Sequence, residues 1–332
     1  MSMVFLWTDM LMWLLLLVII LGVRSILQSP QSRQKWRTIM RSKVAMAASV
    51  VLSAYFLIAL VDSVHFKVKV DQAQGALIEV PEPLQGQVLS LLDVGLAHLM
   101  VQQERTYSAP FALQEYATSV VYNEQGLVEQ TYLPLKYAGA HLQEGQGVWE
   151  DVLSKSWQPL LYLLPALLLM WIVHAYFRFS AFANRDIHVH AIKLPWGTLY
   201  LTLFVLLFTL SWLYHLSHYY HVLGTDKVGQ DVLYNSVKSV RTGVMIGLLT
   251  TLVMLPLALF LGISAGYFKG WVDDVIQYTY TTLNSIPGVL LIAAAVLVMQ
   301  SILNSHNEWF GSTEERADLR LLFLILILGV TS

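Results

Sequence analysis

The sequence predicts an all-α polytopic membrane protein with about seven transmembrane helices and a small α+β insert. Apolar residues make up 56% of the 332 residues, and charged residues only 13%, about half the charged share of a soluble domain. The mean hydropathy is +0.57, so much of the surface has to face lipid. The apolar residues also gather in runs, and a run of about 20 residues is long enough to cross the hydrocarbon of a bilayer.

Seven such runs follow one another along the chain. They are residues 4–23, 44–61, 157–177, 194–214, 242–268, a run within 286–303, and a run that starts at Leu321 and reaches Ser332. The first run has neither a basic segment before it nor a small-residue cleavage site after it. We therefore expect it to be an anchor rather than a secretory signal.

The distribution of Lys and Arg predicts the orientation. Short loops rich in these residues stay in the cytoplasm, and the loop between the first two runs carries six of them: Arg24, Arg33, Lys35, Arg37, Arg41 and Lys43. The N-terminus and residues 62–156 are then outside, as are residues 215–241. In a bacterium this describes a multi-pass inner-membrane protein with a periplasmic N-terminus.

Residues 62–156 are too polar to span a membrane and too long for a simple connection. Residues 65–70 alternate like a strand, residues 88–103 have helical periodicity, and the strand-like residues 119–122 and 127–132 flank a turn at 123–126. These patterns predict a small folded α+β insert. A structural cap over the membrane part and a surface for an external partner are both open interpretations.

Several function classes are excluded. The net charge is −2, so a basic footprint for nucleic acid is missing. The chain has no cysteine, which excludes disulfides, thiolate zinc sites and a Cys nucleophile. Five of the ten histidines form two clusters along the chain, one at residues 215, 218 and 221 and the other at residues 188 and 190. We interpret the first group as interfacial residues at the end of a span and the second as a solvated loop, and we predict no metal, cofactor or catalytic residue.

The most informative stretch begins after the fourth run. Gly224-Thr225-Asp226 is followed by Gly229 and Asp231 in the element G-T-D-K-V-G-Q-D, where glycines permit tight turns and aspartates can cap helices. Further residues follow in order: Arg241 before the fifth run, Gly262 and Gly266 inside it, the pair Asp273-Asp274 in A-G-Y-F-K-G-W-V-D-D, and Pro287 at the start of the sixth run.

This order resembles the second permease subunit of the dipeptide/oligopeptide/nickel class of ABC importers, over about residues 222–332. That family has a G-T-D-x-x-G-R-D element outside the membrane, an Arg-led span, A-G-Y-x-G-G-x-x-D-D, and a span with a proline near its start. The resemblance implies a transport subunit that forms half of a translocation pathway and is not itself an enzyme. It also implies as partners a second permease subunit, two cytoplasmic ATPases, a periplasmic solute-binding protein and membrane lipid, with peptides as the substrate class.

Departures from the family pattern accompany the resemblance. Gln230 stands where the family has Arg, and Gln277, Tyr278 and Thr281 stand where charged residues are usual. The four leading spans exceed the usual single one. The sequence stops at Ser332, where the E-A-A…G loop that docks into the ATPase would begin, so we expect a fragment or a truncated product that does not transport alone.

The sequence thus divides into four expected parts: a transmembrane hairpin (1–61), the insert (62–156), a second hairpin (157–214), and the start of a permease domain (215–332). By the resemblance, Asp226 and Asp231 organise the outer element or simply cap helices, and Arg241 lies at the outer interface and pairs with such an acid.

The remaining candidates are pathway or gating residues, and for the two glycines helix packing without a gating role is the other open interpretation. Gly262 and Gly266 allow close helix contact, Asp273 and Asp274 mark the end of the connecting loop, and Pro287 breaks a span so that freed carbonyls can line a cavity. Two rival functions stay open: a membrane-anchored sensor or assembly protein that acts through the insert, and a His-based membrane metalloenzyme.

Overall fold

The structure is a computed structural model that describes residues 2–4, 6–67, 87–122, 128–142, 146–183, 194–306, 308 and 313–331. Its helices are α1 (Trp7–Gln28), α2 (Pro30–Ile39), α3 (Lys43–Asp62), α4 (Leu91–Gly95), α5 (Ala97–Val101), α6 (Val148–Ser156), α7 (Gln158–Ala183), α8 (Trp196–Leu216), α9 (Val232–Phe268), α10 (Trp271–Ser285), α11 (Gly288–Ser305) and α12 (Thr313–Thr331). Its strands are β1 (Ser2–Val4), β2 (His65–Lys67), β3 (Val88–Ser90), β4 (Ser119–Tyr122) and β5 (Val128–Thr131).

Within the described ranges, six stretches of helix are long and apolar enough to cross a membrane. They are Trp7–Gln28, Lys43–Asp62, Val148–Tyr176, Trp196–Leu216, Val232–Phe268 and Gly288–Ser305. An apolar run forms a helix in lipid because only a helix satisfies its backbone N–H and C=O groups within the segment. The six coincide with the first six predicted runs, and the predicted all-α polytopic membrane fold is confirmed.

The seventh predicted run lies in α12, which is a helix but is not among these six. Its apolar part begins only at Leu321, because its first two turns carry five charged residues: Glu314, Glu315, Arg316, Asp318 and Arg320. That α12 crosses the membrane stays a prediction.

The predicted helix over residues 88–103 is wrong in part, because β3 occupies its first three residues and two short helices follow. Ser90 and Asp93 explain the change. The Ser90 backbone N–H donates to Asp93 Oδ2 at 2.8 Å, and the Asp93 N–H donates to Ser90 Oγ at 3.1 Å. This reciprocal pair is a capping box, and it starts α4 at Leu91.

Two small antiparallel sheets are present in the described residues. One has the order β1-β2-β3, with Phe66 opposite both Met3 and Leu89. In the other, β4 pairs with β5 so that Tyr122 lies opposite Val128. The strands predicted around 65–70 and on either side of the turn are therefore confirmed in their described parts, whereas residues 68–70 and the turn at 123–126 lie outside the described residues.

The chain folds into two compact units. The first unit comprises Met1–Arg24, Tyr55–Val94 and Lys238–Ser332, and the second comprises Ser25–Ala54 and Gly95–Val237. The core of the first unit is an apolar cluster from α1, α3, α9 and α12: Met12, Leu15, Ala59, Met245, Leu249 and Ile325. The second unit has its own cluster of Val152, Leu216, Tyr220 and Val222. The four-part division of the sequence stays a prediction.

Candidate functional site

Residues 224–231, which we call the signature loop, form a closed turn between α8 and α9 in the second unit. The Asp226 N–H donates to the Gln230 carbonyl at 2.9 Å, and the Gly229 N–H donates back to the Asp226 carbonyl at 3.0 Å. Gly224 and Gly229 have φ values of +76° and +77°, a backbone region that glycine adopts without steric cost. The loop thus uses its own glycines to reverse the chain just before α9.

The two aspartates of the signature loop hold backbone groups. Asp226 Oδ1 accepts from the N–H groups of Val228 at 3.0 Å and Gln230 at 2.9 Å. Asp231 Oδ1 accepts from the Leu233 N–H at 2.7 Å, in the first turn of α9, which is the geometry of an N-cap. Turn formation and helix capping are therefore the local roles of these two residues.

Residues 103–108 of the insert run along the signature loop and are bonded to it repeatedly. The Glu104 N–H donates to the Gly229 carbonyl at 2.9 Å, and the Thr225 N–H donates to the Ser108 carbonyl at 3.3 Å. Thr225 Oγ1 also donates to the Thr106 carbonyl at 2.8 Å. Thr225 is 4% exposed, so the insert covers this side of the loop.

The contact between the two segments needs both glycines. A Cβ atom at Gly229 would overlap the carbonyl of Glu104, and one at Gly224 would overlap the carbonyl of Ser108. Since these obstacles are backbone atoms, a rotamer change cannot relieve them. The glycines are required twice, for the positive φ and for the close approach.

A buried polar group joins the loop to the insert. His221 Nδ1 lies 2.6 Å from Asp231 Oδ2, and its Nε2 lies 3.4 Å from Glu104 Oε1. Glu104 also accepts from the backbone N–H groups of Lys136 at 2.9 Å and Tyr137 at 2.8 Å. His221 is 1% exposed and Asp231 is fully buried, and buried polar groups are stable only when they are bonded in this way.

The other histidines near the end of α8 make ring contacts. His98 stacks on His218 with a centroid distance of 3.9 Å and an interplanar angle of 14°, and its Nε2 lies 2.8 Å from Ser217 Oγ. Burial, with a smaller contribution from the charge of His218, lowers the pKa of His98 to about 4, although Asp231 acts in the opposite sense.

Tyr220, just after the end of α8, makes a hydrogen bond to an acid. Tyr220 Oη donates to Asp151 Oδ2 at 2.7 Å, and burial together with this bond raises the pKa of Tyr220. Among the described residues, no group of three or more His, Asp and Glu side chains has the arrangement of a metal site. His188 and His190 lie outside the described residues.

Arg241 pairs with a different acid from the predicted one. Its Nη2 lies 2.5 Å from Asp9 Oδ1, at the start of α1 and within the first unit. The ion pair that Arg241 makes in the described residues is thus the one with Asp9, and a pairing of Arg241 with Asp226 or Asp231 stays a prediction.

The other predicted site residues lie on α9, α10 and α11. A Cβ atom at Gly262 or Gly266 would meet nothing within 4 Å, so in the described chain neither makes the expected close contact. The close approach of α9 to another helix occurs instead at Gly329 of α12, where a Cβ atom would lie 3.0 Å from Val253 Cβ. Asp273 and Asp274 lie in the first turn of α10, where their negative charges interact favourably with the helix dipole.

Pro287 lies between two helices rather than inside one. α10 ends at Ser285, Ile286 is extended, and α11 begins at Gly288 with Pro287 as its N-cap. The predicted gating roles of Asp273, Asp274 and Pro287 stay predictions.

Sequence reasoning missed Glu104, Lys238 and Asp62. Lys238 stands three residues before Arg241, so the helical repeat places both on one face of α9, and that signal was available. An acid such as Asp9 at the edge of an apolar run also indicates a buried cationic partner. For Glu104 the sequence has no such signal, because the partners of its side chain lie 32 to 117 residues away along the chain.

Comparisons with known proteins agree with the motifs. No family model matches the chain, and no solved structure matches it significantly. The chain is 35% identical over 81 residues to the glutathione transport system permease protein GsiD of Pectobacterium atrosepticum, which covers 24% of this chain and 27% of that protein. It is 31% identical over 90 residues to the oligopeptide transport system permease protein OppC of Mycobacterium bovis and of Mycobacterium tuberculosis, which covers 27% of this chain and 30% of each relative.

The match thus spans less than a third of the length of these curated relatives. Both kinds of relative are permease proteins of transport systems for peptides or glutathione. The chain carries the signature loop, the A-G-Y…D-D element and Pro287 in the order expected for such permeases, and it folds as a multi-span helical protein. Over this region the chain is therefore similar to permease proteins of peptide and glutathione transport systems, in agreement with the family that its motifs predict.

Proposed function

We propose that this chain is a transmembrane permease subunit of an ATP-driven importer for short peptides and that it forms half of the translocation pathway. The observation that carries the proposal is the similarity to the GsiD and OppC permease proteins. These proteins are named for glutathione, itself a short peptide, and for oligopeptides, so a peptide backbone is the chemistry that their substrates share.

The geometry of the signature loop supports a structural part in transport. Its carboxylates accept bonds from backbone N–H groups and from His221. Groups satisfied in this way fix a backbone conformation, and a fixed loop at the start of α9 suits a subunit whose helices tilt as rigid bodies.

The proposed setting is the bacterial inner membrane, with the N-terminus and the insert in the periplasm. The proposed partners are a second permease subunit, two cytoplasmic ATPases, a periplasmic solute-binding protein and the surrounding lipid. ATP hydrolysis then belongs to the ATPases, and this chain contributes helices that reorient when the ATPases close.

Copurification tests the proposal. The gene is tagged in the source organism, the product is extracted in mild detergent, and copurifying proteins are identified by mass spectrometry. We expect two ATPase subunits and a second permease. Recovery of a sensor kinase or an assembly factor instead, or of bound metal with an ATP-independent activity, would support one of the two rival functions and contradict the importer.

The control is the same tag on an unrelated six-span protein from the same membrane. Because ATPase subunits are abundant in membranes, only their enrichment over this control counts as support.

A further inference from the structure

Lys238 and Arg241 stand three residues apart on α9 and so lie on one face of the helix. Lys238 pairs with two acids and Arg241 with one, and all three acids belong to other segments of the first unit. Together with these acids they form what we call the α9 lock, composed of Lys238, Arg241, Asp9, Asp62 and Asp93.

Lys238 is the more highly coordinated of the two cations. Its Nζ donates to Asp62 Oδ1 at 2.8 Å, to Asp93 Oδ1 at 2.6 Å and to Ser90 Oγ at 3.1 Å. Asp62 is the last residue of α3, and Asp93 lies in α4. The two carboxylates are 1% and 4% exposed, so one ammonium group joins α9 to the end of the second span and to the strand-to-helix corner at Ser90.

Arg241 makes the equivalent connection to the first span. Its Nη2 donates to Asp9 Oδ1 at 2.5 Å and to Thr8 Oγ1 at 3.0 Å. The other oxygen of Asp9 lies 2.8 Å from His65 Nδ1, and the Thr8 N–H donates to Asp318 Oδ2 of α12 at 3.1 Å. Asp9 and Thr8 are 1% and 0% exposed, so the start of α1 is held between α9 and α12.

Apolar packing joins the same helices. The buried cluster of Met12 and Leu15 from α1, Ala59 from α3, Met245 and Leu249 from α9, and Ile325 from α12 fills the interior of the first unit. α1 and α3 are therefore in contact with α9 through charges at one level and through apolar side chains at the next.

Apolar packing alone would be enough for an anchor. A buried ion pair adds little stability compared with apolar residues of the same volume, but its hydrogen bonds are directional, whereas apolar contacts are not. In the α9 lock, Asp62 Oδ2 and Arg241 Nε are buried and have no hydrogen-bond partner among the described residues. This arrangement favours a fixed position of α1 and α3 on α9 over maximal stability.

We propose that the α9 lock makes α1 and α3 part of the moving half of the permease, so that both helices travel with α9 and α12 as one rigid body during each transport cycle. Lys238 and Arg241 are then positioning residues, and the first two spans are working elements rather than a separate anchor. This inference rests on the proposed importer function.

The test uses the absence of cysteine from the chain. Met12→Cys and Met245→Cys introduce one thiol on α1 and one on α9, at two fully buried positions of the same cluster. The complete importer is reconstituted in proteoliposomes with ATP, and uptake of a radiolabelled tripeptide mixture that includes glutathione is measured before oxidation, after oxidation, and after reduction. The matched control carries Met12→Cys alone.

We expect oxidation to cross-link the double variant and to leave its uptake rate unchanged. Failure of the cross-link to form, or loss of uptake on oxidation with recovery on reduction, would overturn the rigid body. Absence of uptake before oxidation, in the parent as well, would instead contradict the proposed function, so the two failures are distinguishable.

A charge exchange tests the lock itself. Arg241→Asp and Asp9→Arg each place like charges together in a buried site, and we expect each to abolish uptake. The double exchange restores an ion pair at the same position, and we expect it to restore uptake. Equal loss in the double and single variants would show that Arg241 does not act through Asp9.

Discussion

Gly229 is the residue at which two backbones come closest in the signature loop. It has a φ of +77° and faces the carbonyl of Glu104. We expect Gly229→Ala to destabilise the protein by roughly 1–3 kcal/mol, since the alanine is strained by its φ and by the overlap. The measurement is the thermal unfolding midpoint in detergent.

Gly243→Ala is the matched control, because Gly243 is helical and a Cβ atom there meets nothing within 4 Å. It should leave the unfolding midpoint unchanged or raise it slightly, since alanine favours a helix. Equal unfolding midpoints for Gly229→Ala and Gly243→Ala would mean that the backbone of the insert does not lie in close contact with Gly229 of the signature loop.

His98 gives the second unit a dependence on pH. Its pKa of about 4 lies below the ordinary value of 6.5, so between these two values the unfolded chain binds a proton that the folded chain does not. The contribution of His98 to stability is therefore complete above about pH 6.5 and is lost as the pH falls towards 4.

We expect His98→Gln to remove part of this acid sensitivity. Unfolding midpoints of the parent and the variant, measured at pH 7.5 and pH 5, should fall further in the parent. If both proteins lose the same number of degrees, the stacked His98–His218 pair is not responsible for the pH dependence.

At the scale of single residues, the sequence predicted local roles well and distant partners poorly. Asp231 as a helix cap and Gly229 as a turn glycine follow from residue type and spacing alone, because both act on backbone a few positions away. The bonds from His221 to Glu104 and from Arg241 to Asp9 depend on the tertiary fold, which residue type does not determine.

The spans are the elements that sequence predicts best. The six apolar runs form helices because, in lipid, the polar backbone groups of a single segment are satisfied only when it is helical. The fifth apolar run was predicted to start at residue 242, whereas α9 starts ten residues earlier, at Val232. The first three turns of α9 carry Asn235, Ser236 and Lys238 and are too polar to be recognised as part of a span. The helix starts there because Asp231 caps it.

The insert was harder to predict. Residues 88–103 have leucines at helical spacing, yet β3 forms first, because the Ser90–Asp93 capping box starts a new helix at residue 91. In this short stretch the Ser90–Asp93 capping box determines where the helix begins, although leucines recur at helical spacing over about four turns.

Gly329 controls the contact between α9 and α12. A Cβ atom there would lie 2.9 Å from Val253 Cγ1 and 3.2 Å from the Thr250 carbonyl. We expect Gly329→Val to push the two helices apart at a cost of about 1–3 kcal/mol. Limited proteolysis of the detergent-solubilised protein should then cut α12 faster than in the parent.

Gly262→Val, in the open part of α9, is the control and should leave the cleavage rate unchanged. If both variants are cut at the parental rate, the approach of α9 to α12 at Gly329 does not hold α12 in place.

For the whole molecule, the membrane class follows from composition and the orientation from the basic loop at residues 24–43. We expect a cysteine placed at Gly126 to react with a membrane-impermeant maleimide in intact cells, and one placed at Ser32 to react only after the membrane is opened. The chain has no other cysteine, so the labelling is unambiguous. The reverse pattern would invert the predicted topology.

The resemblance to peptide-transport permeases could be recognised from four short motifs in order. The proposed role of the first two spans could not be predicted from the sequence. Motifs record residues that act locally, and the α9 lock is assembled from residues up to 232 positions apart, as in the Arg241–Asp9 pair.

We propose that this chain takes part in ATP-driven transport of peptides across the inner membrane. The most direct test of this proposal is the uptake of labelled glutathione and labelled tripeptides by the source organism, with the gene deleted and with the gene restored. We expect deletion of the gene to abolish ATP-dependent uptake of at least one of these peptides, and the restored gene to recover that uptake. Uptake of all of them at the same rate in the deleted and restored strains would contradict it.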